Sequence, residues 1–488
     1  MIELARRAAG CGYLYNEDKI SDDDDGGCDR TVYGISPDTI YTEISSVSGL
    51  VCALTMPIVG SIIDHTDYRK QVAFYSVMMW FLISVVQIGL TSYTWFYMAI
   101  LEIFSISAGL FHSCALGAYF PELTENSRTR NKIDTFATIY LFTTEAAFIP
   151  AVIVGSVIAS LFPSGAYRAN VSTAIVSQVL CSLALGSMGL HVYLKLMKTK
   201  PKRRIPDGNL ITVGFKRVYQ QVQTIGKKYP LALRYLFGFM FVDSAMAAFS
   251  AIAGTYLVVQ LGMDGVGTAL VIETLLVCSA AFAPTVPMVS KRFARALGHD
   301  DYAGKPALCL SICWNIVFSV LAPAVLRSLG QAVFAFVFAF FWGFGFAYYY
   351  SLVKSTFWCC IPKNEEAEWS GILLFFQAVL SWAPLLAFSI LYRATGSMAN
   401  GFYVVGFFKF IGLLLIYSVD IRKAAETARA VAKDGVYTKD ADTTSAPEEE
   451  SKLTTVTTVE PINAAVHPVG EETQLTLTDM NANVEETV

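Results

Sequence analysis

Between residues 40 and 419 the chain alternates apolar runs of membrane length with short polar breaks. The runs fall at about 40–63, 71–92, 95–120, 133–162 and 171–197, then at 232–260, 265–290, 306–326, 332–353, 369–392 and 402–419. A helix needs roughly 20 apolar residues to cross a bilayer, so the pattern predicts eleven spanning helices, five before the long break at 198–231 and six after it. Inside that break the period changes. Ile211, Phe215, Val218, Val222 and Ile225 recur at steps of four, three, four and three, whereas Lys216, Arg217, Gln220 and Gln223 fall off that stripe. This spacing predicts an amphipathic helix, expected to lie on an anionic membrane surface. Residues 1–39 are polar and turn-rich, with no helix of membrane length. From about 420 the chain turns to Thr, Glu and Ala, a composition that cannot bury a core and predicts disorder. The expected organisation is an N-terminal segment (1–39), a five-span bundle (40–197), a basic linker (198–231), a six-span bundle (232–419) and a tail (420–488).

Composition agrees with that pattern. Of 488 residues 54% are apolar and 16% charged, and mean hydropathy is +0.48. This excludes an ordinary soluble domain and predicts an all-α polytopic membrane protein. Bases gather in alternate breaks: Arg69 and Lys70; Arg128, Arg130 and Lys132; the central cluster; Lys291, Arg292, Arg295 and Lys305; Lys354 and Lys363; Arg422 and Lys423. The intervening breaks carry only Arg168, Arg327 and Arg393. Because Lys and Arg near span ends stay in the cytoplasm, the linker and C-terminus are expected there and residues 1–39 on the opposite side. There Cys11 and Cys28 are placed where a disulfide persists. The other cysteines show no zinc-type spacing, and neither a metal site, a cofactor motif nor a nucleic-acid-binding charge pattern is present, so no enzymatic reading has support.

The break between the first two spans reads Gly60-Ser61-Ile62-Ile63-Asp64-His65-Thr66-Asp67-Tyr68-Arg69-Lys70. Its Gly60, Asp64, Arg69 and Lys70 resemble the cytoplasmic motif of the major facilitator superfamily, where it joins the second and third helices of a six-plus-six arrangement. The resemblance narrows on Leu4 to Cys11, Met56-Pro57, Tyr119-Phe120-Pro121-Glu122-Leu123, Arg234-Tyr235-Leu236 to Asp243, Ile361-Pro362, Glu365 to Glu368, Trp382-Ala383-Pro384-Leu385 and Thr395-Gly396-Ser397. In that order they look like the vacuolar amino-acid effluxers typified by autophagy-related protein 22. The resemblance implies a two-bundle carrier that releases neutral or branched-chain amino acids from a vacuole or lysosome by alternating access. It also implies an opening helix ahead of the first span here, leaving a truncated gene model and an eleven-span form as alternatives. In the motif, a carboxylate at a helix end accepting hydrogen bonds from Arg or from helix N-termini is expected to latch one conformation.

Charged groups within hydrocarbon cost roughly 2.5–3.5 kcal/mol each on insertion scales and mark function by default. Glu145 and Asp243 lie well inside their spans on opposite halves, and Glu102, Glu273 and Lys409 are also intramembrane. The expected site has Glu145 and Asp243 facing a central cavity, binding a substrate ammonium or a coupling proton, with Glu273 as a further candidate and Lys409, or Arg234 nearer the cytoplasmic end, meeting the substrate carboxylate. Membrane lipid and a small amino acid are the expected partners. The alternative reading is a transport-inactive scaffold or receptor of the same fold.

Overall fold

A computed structural model describes residues 1–11, 28, 30–119, 127–160, 166–195, 210–296, 304–362 and 366–431. The expected tail beyond 431, linker residues 196–209 and most of the segment between Cys11 and Cys28 lie outside these described residues.

Helix α1 (Ile2–Ala8) precedes a 3-10 turn (Pro37–Thr39) that leads into α2 (Ile40–His65). The first half continues with α3 (Arg69–Gln87), α4 (Trp95–Gly117), α5 (Ser127–Ser160) and α6 (Ala166–Lys195). A linker helix α7 (Leu210–Lys228) joins it to α8 (Pro230–Val259), α9 (Gly265–Phe282), α10 (Val286–Ala296), α11 (Gly304–Val325), α12 (Ala332–Trp358), α13 (Glu366–Val379), α14 (Ala383–Thr395) and α15 (Ala399–Tyr417). Among the described residues eleven helical stretches are long and apolar enough to cross a membrane, five before α7 and six after it. Local chemistry sets several boundaries. Pro230 opens α8 at a position where no amide donor is needed. Asp264 caps α9 by accepting from the Gly267 amide at 2.7 Å. Pro284 and Pro287 fall where one span breaks into α9 and α10, and Gly396, at φ +68°, ends α14 in the left-handed region that a side chain resists.

The halves meet along two seams. Helix α2 packs on α13, α14 and α8, and α5 packs on α9 and α12. At the disulfide end, where Cys11 and Cys28 are bonded with Cα atoms 6.0 Å apart, the first seam is polar. The fully buried Asp38 carboxylate pairs with Arg6 at 2.7 Å and accepts from the Tyr392 hydroxyl and the Cys28 amide at 2.9 Å each. Arg393 meets Glu43 at 2.7 Å, and the Ser46 hydroxyl donates to the Trp382 carbonyl at 3.0 Å.

At the opposite end α7 departs from expectation. Its apolar stripe is seated on protein: Ile225 is buried and Val222 packs on the second half's core. Val218 and Gly214 share a small cavity with Met56, Pro57 and Gly60 of α2 and Gly371 and Ile372 of α13. A Cβ at Gly214 would collide with the Pro57 carbonyl, so two backbones touch where glycine alone permits it. Only Phe215 of the described stripe remains substantially exposed, at 44%.

The opening residues of the expected tail also depart from expectation. Residues 421–431 are helical, started by Asp420, whose carboxylate accepts from the Arg422 and Lys423 amides at 3.0 and 3.2 Å. Ile421, Ala424, Ala425 and Ala428 recur on one face and are buried, which is why this alanine-rich stretch holds to the bundle despite its charged neighbours.

Candidate functional site

The two halves enclose a cavity of about 820 Å³, within the range of small-molecule sites. Helix α8 supplies Phe239, Asp243, Ser250 and Gly254, and α12 supplies Trp342, Phe346, Tyr350 and Lys354 at strict four-residue intervals, which is how one helical face is presented. Helix α5 adds Leu141, Phe142, Glu145 and Phe148 from the opposite half, α6 adds Cys181 and Leu185, and α13 adds Gln377. Most of this wall is apolar or aromatic. Charge is confined to Glu145, Asp243 and Lys354.

Asp243 is 4% exposed and accepts from the Tyr349 hydroxyl at 3.3 Å. Lys354 and Gln377 also act electrostatically on its carboxyl. Glu145 is open to the cavity, and Tyr350 lies within electrostatic reach of both carboxyls, its ring 6.1 Å from that of Phe142 on α5. A cation entering this space therefore meets two acidic groups, one from each half, with a phenol between them.

The other sequence candidates fall elsewhere. Glu273 is half-buried beside the cavity-lining Ile272 and Leu275 but does not line it, because adjacent residues on a helix point about 100° apart. Lys409 is fully buried within the second half, behind the aromatic wall. Glu102 lies inside the first half, where its carboxylate accepts from the Gln87 amide at 2.7 Å. Of the motif between α2 and α3, the Asp64 side chain lies outside the described residues. Arg69 is 1% exposed, donates to the Ala118 carbonyl at 3.4 Å and lies over the Tyr119 ring, so these contacts tie α3 to the end of α4 within one half. Lys70 sits over the Tyr193 ring of α6. Tyr349, Tyr350 and Lys354 were not among the sequence candidates; Tyr350 and Lys354 share the four-residue stripe from Trp342, and Tyr349 lies off it.

Two helical bundles around a shared central cavity define the architecture as the two-bundle fold of the major facilitator type. Solved structures agree on the fold: a D-xylose–proton symporter (13% identity, 78% of this chain and 88% of that one, TM-score 0.53), a mutant of the nucleoside transporter NupG (13%, 78% and 90%, 0.50) and the human organic anion transporter MFSD10, or TETRAN (15%, 77% and 83%, 0.50). No curated protein sequence matches the chain. The family model described as "Vacuole effluxer Atg22 like" matches residues 21–429, and the chain belongs to that family.

Proposed function

We propose that this transporter releases neutral or branched-chain amino acids from a vacuole or lysosome into the cytoplasm by alternating access, driven by a proton gradient. The observation that carries the reading is the pair Glu145 and Asp243 on one cavity but on different halves. A substrate ammonium held between them ties binding to the relative position of the bundles, and a proton on either carboxyl competes for the same charge. The apolar wall from Phe142 to Phe346 suits an aliphatic side chain. Family membership supports the organelle and the direction of flux.

The test is efflux of labelled leucine from proteoliposomes with an acidic interior. Truncating one partner of a buried charge pair costs about 2–5 kcal/mol, so Asp243→Asn and Glu145→Gln are each expected to slow efflux at least 30-fold at sub-saturating leucine, about 1.4 kcal/mol being tenfold. Efflux unchanged in both variants would overturn the site assignment, and absence of leucine flux in the wild type would overturn the substrate.

A further inference from the structure

Lys409 on α15 is fully buried in the second half. Its ammonium has a single, long hydrogen bond, 3.4 Å to the Ser319 hydroxyl on α11, and lies 4.9 Å from the centre of the Phe249 ring on α8. Among the described residues no carboxylate pairs with it. An ammonium taken out of water with so little in return is strongly unfavourable, and a methionine of similar volume would serve packing better. Such a group is poised for a partner that comes and goes.

The position of Phe249 says where that partner enters. The same ring lines the central cavity, so one side chain separates the ammonium from the substrate space. Its neighbours are aromatic: Trp342 at 4.8 Å and Phe346 at 5.5 Å, both also on the cavity wall. The indole N–H of Trp342 is buried with no hydrogen-bond acceptor. Two donors short of acceptors therefore stand at a single aromatic wall. Asp243 is six residues before Phe249 on the same helix, about 9 Å along the axis at 1.5 Å per residue. Asp243 and the ring over Lys409 are thus presented by one helix to one cavity.

We infer that the Phe249 ring is a movable cover over Lys409, and that the carboxylate of a zwitterionic substrate displaces the ring to pair with the ammonium while Asp243 holds the substrate's amino group. This rests on the carrier reading above and deepens it, since it assigns the carboxylate end of the substrate to the second half. Deprived of Lys409, the cavity keeps its affinity for amines and loses its preference for amino acids.

The experiment is competition against labelled leucine counterflow in proteoliposomes, comparing unlabelled leucine with its decarboxylated analogue 3-methylbutylamine. The wild type is expected to favour leucine at least tenfold. Lys409→Met, a volume-conserving apolar change, should weaken leucine at least tenfold and leave competition by the amine within twofold, assayed against labelled amine binding where leucine flux is too low. Phe249→Ala should strengthen leucine at least threefold relative to the amine. Leucine preference that survives Lys409→Met, or equal weakening of both ligands, overturns the assignment. If Lys409→Met does not fold, Phe249→Ala decides alone, and an unchanged leucine preference there sinks the cover. If leucine and amine both fail to bind the wild type, the carrier reading falls as well; if the amine competes in all three proteins and leucine is indifferent to Lys409, only this inference fails.

Discussion

The two bundles are held together by different physics. In the second half 72% of the most apolar stretch of α8 is buried and 56% of that of α12, and one hydrophobic core runs from Ile225 to Ala428. In the first half the shares fall from 50% for α2 to 17% and 6% for α5 and α6, and the buried apolar residues fall into small clusters, one around Leu4, Ile40 and Trp95 and another around Met56, Ala73 and Ala115. Polar ties add to that sparse packing: Gln87–Glu102 and Arg69 at the end of α4 lie within the first half, while Arg6–Asp38–Tyr392 and Glu43–Arg393 fasten it to α14 of the second. A core built by close packing is bistable only with difficulty, because it is as dense as a crystal, whereas a hydrogen-bonded seam can break and reform as discrete contacts. The second half is thus suited to be the fixed platform that carries Asp243 and Lys409, and the first half the body that brings Glu145 to and from it.

The largest expected effect tests the polar side of this contrast. Asp38 accepts from three segments, α1, the stretch at Cys28 and α14. Asp38→Ala removes a fully buried carboxylate that accepts from all three segments and pairs with Arg6, and breaking a buried pair costs about 3–5 kcal/mol. Thermal unfolding of the purified protein should show it, and a change below about 1 kcal/mol, the range of an exposed pair, would mean that the seam at the disulfide end does not hold the first half.

Next comes the packed side. Gly238 of α8 and Gly412 of α15 face one another; a Cβ at Gly412 would stand 2.6 Å from the Gly238 carbonyl and 2.9 Å from the Val242 amide. These are backbone atoms, which cannot step aside without moving a helix. Gly412→Ala is expected to destabilise by about 1–3 kcal/mol, the usual cost of overpacking, read in the same unfolding assay.

What the sequence disclosed follows from which signals are local. Span number and order come from hydropathy, which needs no partner to be read. Glu145 and Asp243 stand out because isolated carboxyls inside apolar helices are costly wherever they point. Glu273 carries the same signal and misses the cavity, since a charge marks a helix but not its face. Tyr350 and Lys354 were hidden for the opposite reason: an aromatic every fourth residue on a membrane helix looks the same whether it touches lipid, core or substrate. The stripe on α7 gave a correct helix and the wrong cover, because periodicity shows that one face is apolar and says nothing about whether lipid or Pro57 lies against it. The 421–431 helix escaped for want of large apolar residues, its buried face being mostly alanine.

The smallest expected effect returns to the first half. Gly186 lies in α6 near the cavity-lining Leu185, and a Cβ there would come 3.1 Å from the Phe81 ring edge on α3. The approach is already looser than those at Gly412, 2.6 and 2.9 Å. The neighbour also differs: it is the far end of a partly exposed side chain rather than a backbone atom, and a ring edge can give by a few tenths of an ångström through a small χ rotation. Against that minor strain stands the helix preference of alanine over glycine, about 1 kcal/mol in a helix interior. Gly186→Ala should therefore leave stability within about 0.5 kcal/mol of the wild type, the range of substitutions that meet no special constraint. If it cost as much as Gly412→Ala, α3 and α6 would be locked as firmly as α8 and α15. The looser half would then be no better placed to move than its neighbour.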